Sequence, residues 1–138
     1  MNKYTFSEIE IGTTHEFTVQ ITQDLVTMFS QITGDKNPLH TDLEFAKNMG
    51  QEKVVVFGQL VQSYLSTLAG MYLPGKYSLI VQIESNFKRP VFIEDKITIK
   101  GIVTQKINFG NLIVLETKIT NQNQEVVVNG KMKVKVLK

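Results

Sequence analysis

"VVVFGQLVQSYLSTLAGMYLPG", Val54 to Gly75, begins as a β-branched run, meets Gly58, and then stays apolar on nearly every side until Pro74 and Gly75 end it. β-Branched residues favour extended chain, and an internal glycine marks where the backbone changes state. A helix that is apolar all round offers no face to water, so this one is expected at the centre of the molecule. The rest of the chain must then supply its cover.

Beyond Pro74 the period of the pattern changes. "YSLIVQIESNFK", "DKITIKGIVTQ", "NLIVLETKIT" and "EVVVNGKMKVKV" are rich in Val, Ile and Thr, and turn-like "RPVFIED", "KINFGN" and "NQNQ" separate them. In the last run Val126, Val128, Met132, Val134 and Val136 fall on even positions and Lys131, Lys133 and Lys135 on odd ones. Alternation of this kind gives a strand one buried and one wet face, and the lysine row reads as the wet face, suited to protecting a sheet edge. "HEFTVQIT" near the start supplies a further strand. The expected architecture is α+β: a mostly antiparallel, curved sheet of five or six strands wrapped around one buried helix.

The remaining N-terminal half reads as helical. In "TQDLVTMFSQIT" Thr22 caps a helix whose Leu25, Val26, Phe29 and Ile32 share a face. "TDLEFAKNMG" reads as a second, short helix, begun by Asp42 and stopped by Gly50.

Between these two helices stands "TGDKNPLHTD", Thr33 to Asp42, which holds one of only two histidines in the chain. Turn geometry accounts for Gly, Asp, Asn and Pro, each of which ends or redirects an element. It does not account for His40. A carboxylate and an imidazole can together hold and deprotonate a water molecule, and Asp35 and His40 have those identities; a capped helix end with a surface histidine is the competing reading of the same residues. Pro38 biases Asn37 away from helical geometry, which lets the chain fold back, and Asn37 is expected to brace the loop through side-chain to backbone bonds. His15, in a strand with no acidic partner nearby, reads as structural or surface. Tyr64, Met71 and Tyr72 read as core or pocket wall.

Composition narrows the choice of function. The 138 residues suit a single domain spanning 1–138, 42% hydrophobic and 20% charged residues are ordinary globular values, and a net charge of +2 is too weak to imply a nucleic acid partner. There is no cysteine, and two histidines alone leave little for a transition-metal site, so no metal is expected. "MNKYTFSEIEIG" lacks an apolar signal region and no segment is long and apolar enough to span a bilayer. No membrane association is expected, and the expected compartment is cytoplasmic.

With these residues in place, the chain resembles the MaoC-like, (R)-specific enoyl-CoA hydratase branch of the hotdog-fold family. The similarity rests on Gly34-Asp35-Lys36-Asn37-Pro38-Leu39-His40-Thr41-Asp42 and continues through Phe45-Ala46, the helix led by Gly58, "LPG" at Leu73 to Gly75 and "FKRPVFIED" at Phe87 to Asp95. The resemblance implies that Asp35 and His40 are catalytic, that the Gly58 amide meets a thioester carbonyl, and that Ser66 lines the site; Gly58, Ser66 and Asn37 are thus the residues on the substrate side. It implies a homodimer, open to further pairing as a dimer of dimers. It also implies reversible hydration of a trans-2-enoyl thioester to the (R)-3-hydroxyacyl thioester, on coenzyme A or an acyl carrier protein, with coenzyme A present only as part of the substrate and no other cofactor. Lys88 and Arg89 are placed where they could meet the phosphates of coenzyme A. One departure stands out: many relatives have His-Gly where this chain has Phe57-Gly58. A hotdog thioesterase and a catalytically silent acyl-thioester-binding module are the alternatives that stay open.

Overall fold

The computed structural model describes all 138 residues. Five strands, β1 (Thr14–Gln20), β2 (Ser78–Phe87), β3 (Lys96–Ile107), β4 (Leu112–Thr120) and β5 (Val126–Val136), form one sheet in the order β1-β3-β4-β5-β2, antiparallel throughout. Three helices, α1 (Gln23–Thr33), α2 (Leu43–Asn48) and α3 (Gly58–Thr67), lie between β1 and β2 in sequence. The sheet curls around α3, which is the hotdog arrangement. Inward residues Ile97, Ile99, Val103, Ile113, Leu115, Ile119, Met132 and Val134 meet Leu60, Val61, Leu65 and Leu68 in one apolar core.

The close seating of the helix on the sheet has a local cause in side-chain size. One row across the sheet reads His15, Gly101, Thr117, Gly130, Ser85. Small residues in its middle let the helix approach: a Cβ on Gly101 would stand 2.7 Å from Leu68 Cδ2, so Leu68 occupies the space that glycine leaves. At Gly130 the constraint comes from backbone, because a Cβ there would collide with the Glu84 carbonyl oxygen of β2. From the helix side, Gln62 reaches Ser85 at 3.0 Å. At the other end of the row, Tyr4 and Asn2 bond His15 Nε2, tying the N-terminal segment to β1 and giving His15 a structural role.

Three sequence expectations are corrected. The helix after Phe57 is not buried all round, since Gln59, Ser63 and Ser66 are exposed and Met71 is 45% exposed; its apolar count is high because Leu60, Val61, Leu65, Leu68 and Ala69 crowd one side. α3 also stops at Thr67 and continues as a wider π-type turn over Leu68–Tyr72. On α1, Val26 is buried but Ile32 is 81% exposed, one turn beyond the last core contact. The Lys131, Lys133 and Lys135 row is the wet face of β5, as alternation requires, yet β5 lies inside the sheet; the edges are β1 and β2. Of the pocket-wall residues, Tyr72 stacks on Phe17 at 5.0 Å between centroids, and half-buried Tyr64 borders an apolar groove between α1 and α3. Burial raises the Tyr64 phenol pKa.

Candidate active site

Gly34 ends α1 in the left-handed conformation, its amide bonded to the Ser30 carbonyl. The chain then turns on a series of short local bonds. Asp35 Oδ1 accepts from the Asn37 amide at 2.9 Å, Asn37 Oδ1 accepts from the Leu39 amide at 3.0 Å, and Ser30 Oγ donates to the Asp35 carbonyl at 2.7 Å. Asn37 has ψ 128°, the extended value that a following proline imposes, and Pro38 opens a single 3₁₀ turn ending at His40. Asp42 then caps α2 through Oδ1 with the amides of Glu44 and Phe45. The turn chemistry visible in the sequence is present in full, and it delivers Asp35 and His40 to the same place.

That place is a cavity of about 340 Å³ lined by Phe29, Thr33, Asp35, His40, Phe57, Gly58, Gln59 and Phe87. Three residues singled out in the sequence, Asp35, His40 and Gly58, therefore border one space. His40, Gly58 and Phe87 also border a second cavity of about 310 Å³ that runs past Val61 and Val128 to Lys88, Arg89 and Pro90. The polar residues thus sit where an apolar cleft with a basic mouth meets the loop.

His40 is held by the extended segment before α3. Its Nδ1 donates to the Val55 carbonyl at 2.7 Å, and the Val55 amide donates to the Leu39 carbonyl at 3.1 Å. A carbonyl oxygen only accepts, so Nδ1 carries the proton and Nε2 is the basic nitrogen of the neutral ring.

α3 begins at Gly58 with Phe57 in the capping position and no side-chain cap. The amides of Leu60 and Val61 bond the Phe57 carbonyl, whereas those of Gly58 and Gln59 donate to no group in the chain. Free first-turn amides and the helix dipole together favour negative charge at this end. An added Cβ on Gly58 would lie 3.0 Å from Phe87 Cε1, so glycine also keeps the cavity open.

Two expected site residues stand elsewhere. Ser66 is exposed on α3 and borders neither of these two cavities, because it lies more than two turns along the helix from Gly58. Asn37 also borders neither; its side-chain Oδ1 accepts from the Leu39 amide, which makes it a brace of the loop. Sequence reasoning missed Gln59, Phe87 and the Val55 carbonyl. Gln59 follows directly from Gly58, but a backbone acceptor leaves no mark in residue identity. No three His, Cys, Asp or Glu side chains come together in a group that would hold a metal ion. No helix is long and apolar enough to cross a membrane.

An acid–base pair beside free helix-start amides, in an apolar cleft within a hotdog fold, defines a class of acyl-thioester-handling proteins. The profile of the family described as MaoC like domain matches residues 6–125, and the chain belongs to that family. It is 33% identical over 128 residues to the (R)-specific enoyl-CoA hydratase of Aeromonas caviae, covering 93% of this chain and 96% of that one. It is 31% identical to a mitochondrial 3-hydroxyacyl-[acyl-carrier-protein] dehydratase of Solanum lycopersicum, over 88% of this chain and 74% of that one. The solved structure of an (R)-hydratase from A. caviae, described as involved in PHA biosynthesis, superposes with a TM-score of 0.89 over 93% of this chain and 97% of the other.

Proposed function

We propose that this protein is a hydro-lyase that adds water reversibly to a trans-2-enoyl thioester, giving the (R)-3-hydroxyacyl thioester. The observation that carries the reading is the convergence of Asp35, His40 and Gly58 on one cavity. Asp35 and His40 Nε2 hold one water between them. Its oxygen bonds to the β-carbon as its proton passes to the pair, and the alkene electrons move onto the thioester oxygen. The Gly58 amide, at the positive end of α3, stabilises that developing charge. The pair then returns the proton to the α-carbon, which restores the carbonyl and resets both groups. Because both groups act on one water, no single proton is assigned to either.

The apolar cleft along Val55, Val56, Val61 and Val128 suits the thioester arm, and Lys88 and Arg89 at its mouth suit phosphates of a coenzyme A or carrier-protein pantetheine. Relatives acting on either carrier are similar in sequence, so both remain substrates to be tried. We further propose a homodimer. β2 ends the sheet with its outer edge unpaired, and Leu79, Val81 and Phe87 on it are about half exposed. Since Phe87 lines the cavity, a second copy laid along β2 would close the site. We also propose catalysis without metal, which a chain with no thiolate and only two imidazoles supports.

The test is a panel of short and medium trans-2-enoyl-CoAs, followed by loss of the conjugated enoyl absorbance and chiral analysis of the product. Hydration to the (R) alcohol is expected, and chelator should leave the rate unchanged. Release of free thiol without hydration would indicate a thioesterase instead.

A further inference from the structure

Val55 fixes only part of the His40 orientation, and the rest comes from Phe57. A single hydrogen bond at Nδ1 sets the direction of one ring atom but not the tilt of the imidazole plane. A change of tilt would re-aim the Nε2 lone pair within the cavity. The Phe57 ring removes that freedom: its centroid lies 4.1 Å from that of His40, with 36° between the planes. Phe57 is itself immobilised. It is 3% exposed, its carbonyl receives the first two amide bonds of α3, and its ring rests on Phe29 of α1 at 5.3 Å.

We infer that Phe57 is a positioning residue for the catalytic imidazole, and that the tilted ring cluster Phe29, Phe57, His40 keeps the parts of the site in register. The cluster joins the helix that leads to Asp35, the loop that carries His40 and the residue that precedes Gly58. A flat ring is required at position 57, because a branched aliphatic side chain fills the volume without presenting a plane. This inference rests on His40 as the catalytic imidazole, so its test reads ring geometry as well as turnover.

The experiment compares Phe57→Leu and Phe57→Tyr with the unchanged protein, using a trans-2-enoyl-CoA that it hydrates. Phe57→Leu should lower kcat about 10-fold, or ~1.4 kcal/mol, with KM changing less than kcat because Phe57 borders the reaction cavity but not the cleft along Val61 and Val128 that takes the thioester arm. Phe57→Tyr keeps the plane and should recover most of kcat. With only two histidines in the chain, the His40 ring protons are readily assigned by NMR; they should lose their ring-current shift in Phe57→Leu while those of His15 stay in place. A purely structural role would lower the melting temperature and leave kcat per folded molecule unmoved, and that result overturns the inference even though loss of the Phe57 ring current by itself shifts the His40 resonances. If Phe57→Leu fails to fold, Phe29→Leu removes the outer ring alone and should give a smaller fall in kcat with a partial change in the His40 shift; no change in either also overturns it. Wild-type turnover in folded His40→Gln would instead remove His40 from the chemistry, a failure that NMR of the Phe57 variants does not mimic.

Discussion

The His40 imidazole donates from Nδ1 to the Val55 carbonyl oxygen across 2.7 Å, so a backbone group fifteen residues downstream sets the tautomer of the proposed base. Many imidazoles in active sites take this orientation from a carboxylate. A neutral carbonyl fixes the tautomer without adding a charge next to the ring, and no side-chain substitution can delete it. The neutral ring should therefore show a protonated Nδ1 and a bare Nε2 in ¹⁵N NMR. A bare Nδ1 would mean that this bond does not form in solution.

Gly58 is constrained by space and by its backbone at once. An alanine methyl at this position would stand 3.0 Å from Phe87 Cε1, so Gly58→Ala should be tolerated through a swing of the half-exposed Phe87 ring and should cost about 10-fold in kcat. Gly58→Val adds branches that ring motion cannot clear, and should cost ~100-fold or more in kcat. Circular dichroism separates this from unfolding, and wild-type kcat in a folded Gly58→Val protein would place the thioester oxygen elsewhere.

Gly130 makes the opposite prediction, a loss of stability with no role in chemistry. A Cβ there meets the Glu84 carbonyl, which is backbone held in the β2–β5 ladder and cannot step aside. Gly130→Ala should destabilise by at least ~2 kcal/mol, lowering Tm by roughly 7 °C for a chain of this size. Differential scanning calorimetry checks it; an unchanged Tm would show that the sheet has room the structure does not indicate.

The unpaired edge of β2 predicts an association that protects it. Light scattering at micromolar concentration should give at least a dimer, and hydrogen exchange should slow with concentration at the β2 amides that point away from β5. Concentration-independent exchange along β2 would move the interface to another face.

Much of this was legible in the sequence because it depends on local rules. The five strands follow from period-2 runs and their turns, and both caps follow from Thr22 and Asp42. Asp35, His40 and Gly58 border one cavity, and what singled them out in the sequence was the pattern Gly34 to Asp42 together with the family resemblance it carries. Ser66 came from the resemblance alone, and within one chain it is exposed on α3 and lines neither cavity of the site. Ile32 shares its α1 face with Leu25 and Phe29, as the spacing requires, yet it is 81% exposed, because spacing gives the face and not the depth to which it is covered. The topology that makes β2 an edge and β5 an interior strand is a property of long-range pairing, which alternation cannot reveal.

The most direct test of the account is hydration of a trans-2-enoyl-CoA by Asp35→Asn, His40→Gln and the double variant, each checked for folding by its thermal midpoint. General acid–base work is worth about 10²–10⁴-fold, so each single variant should lose at least ~100-fold in kcat, roughly 2.7 kcal/mol of transition-state stabilisation. The midpoint should move by only a few degrees, because Asp35 is exposed and His40 is only partly buried. Two groups acting on one water should not lose independently, so the double variant should be little worse than the worse single one. Near-normal hydration by both folded single variants would contradict the account, and would leave Thr33 to Asp42 as a turn and nothing more.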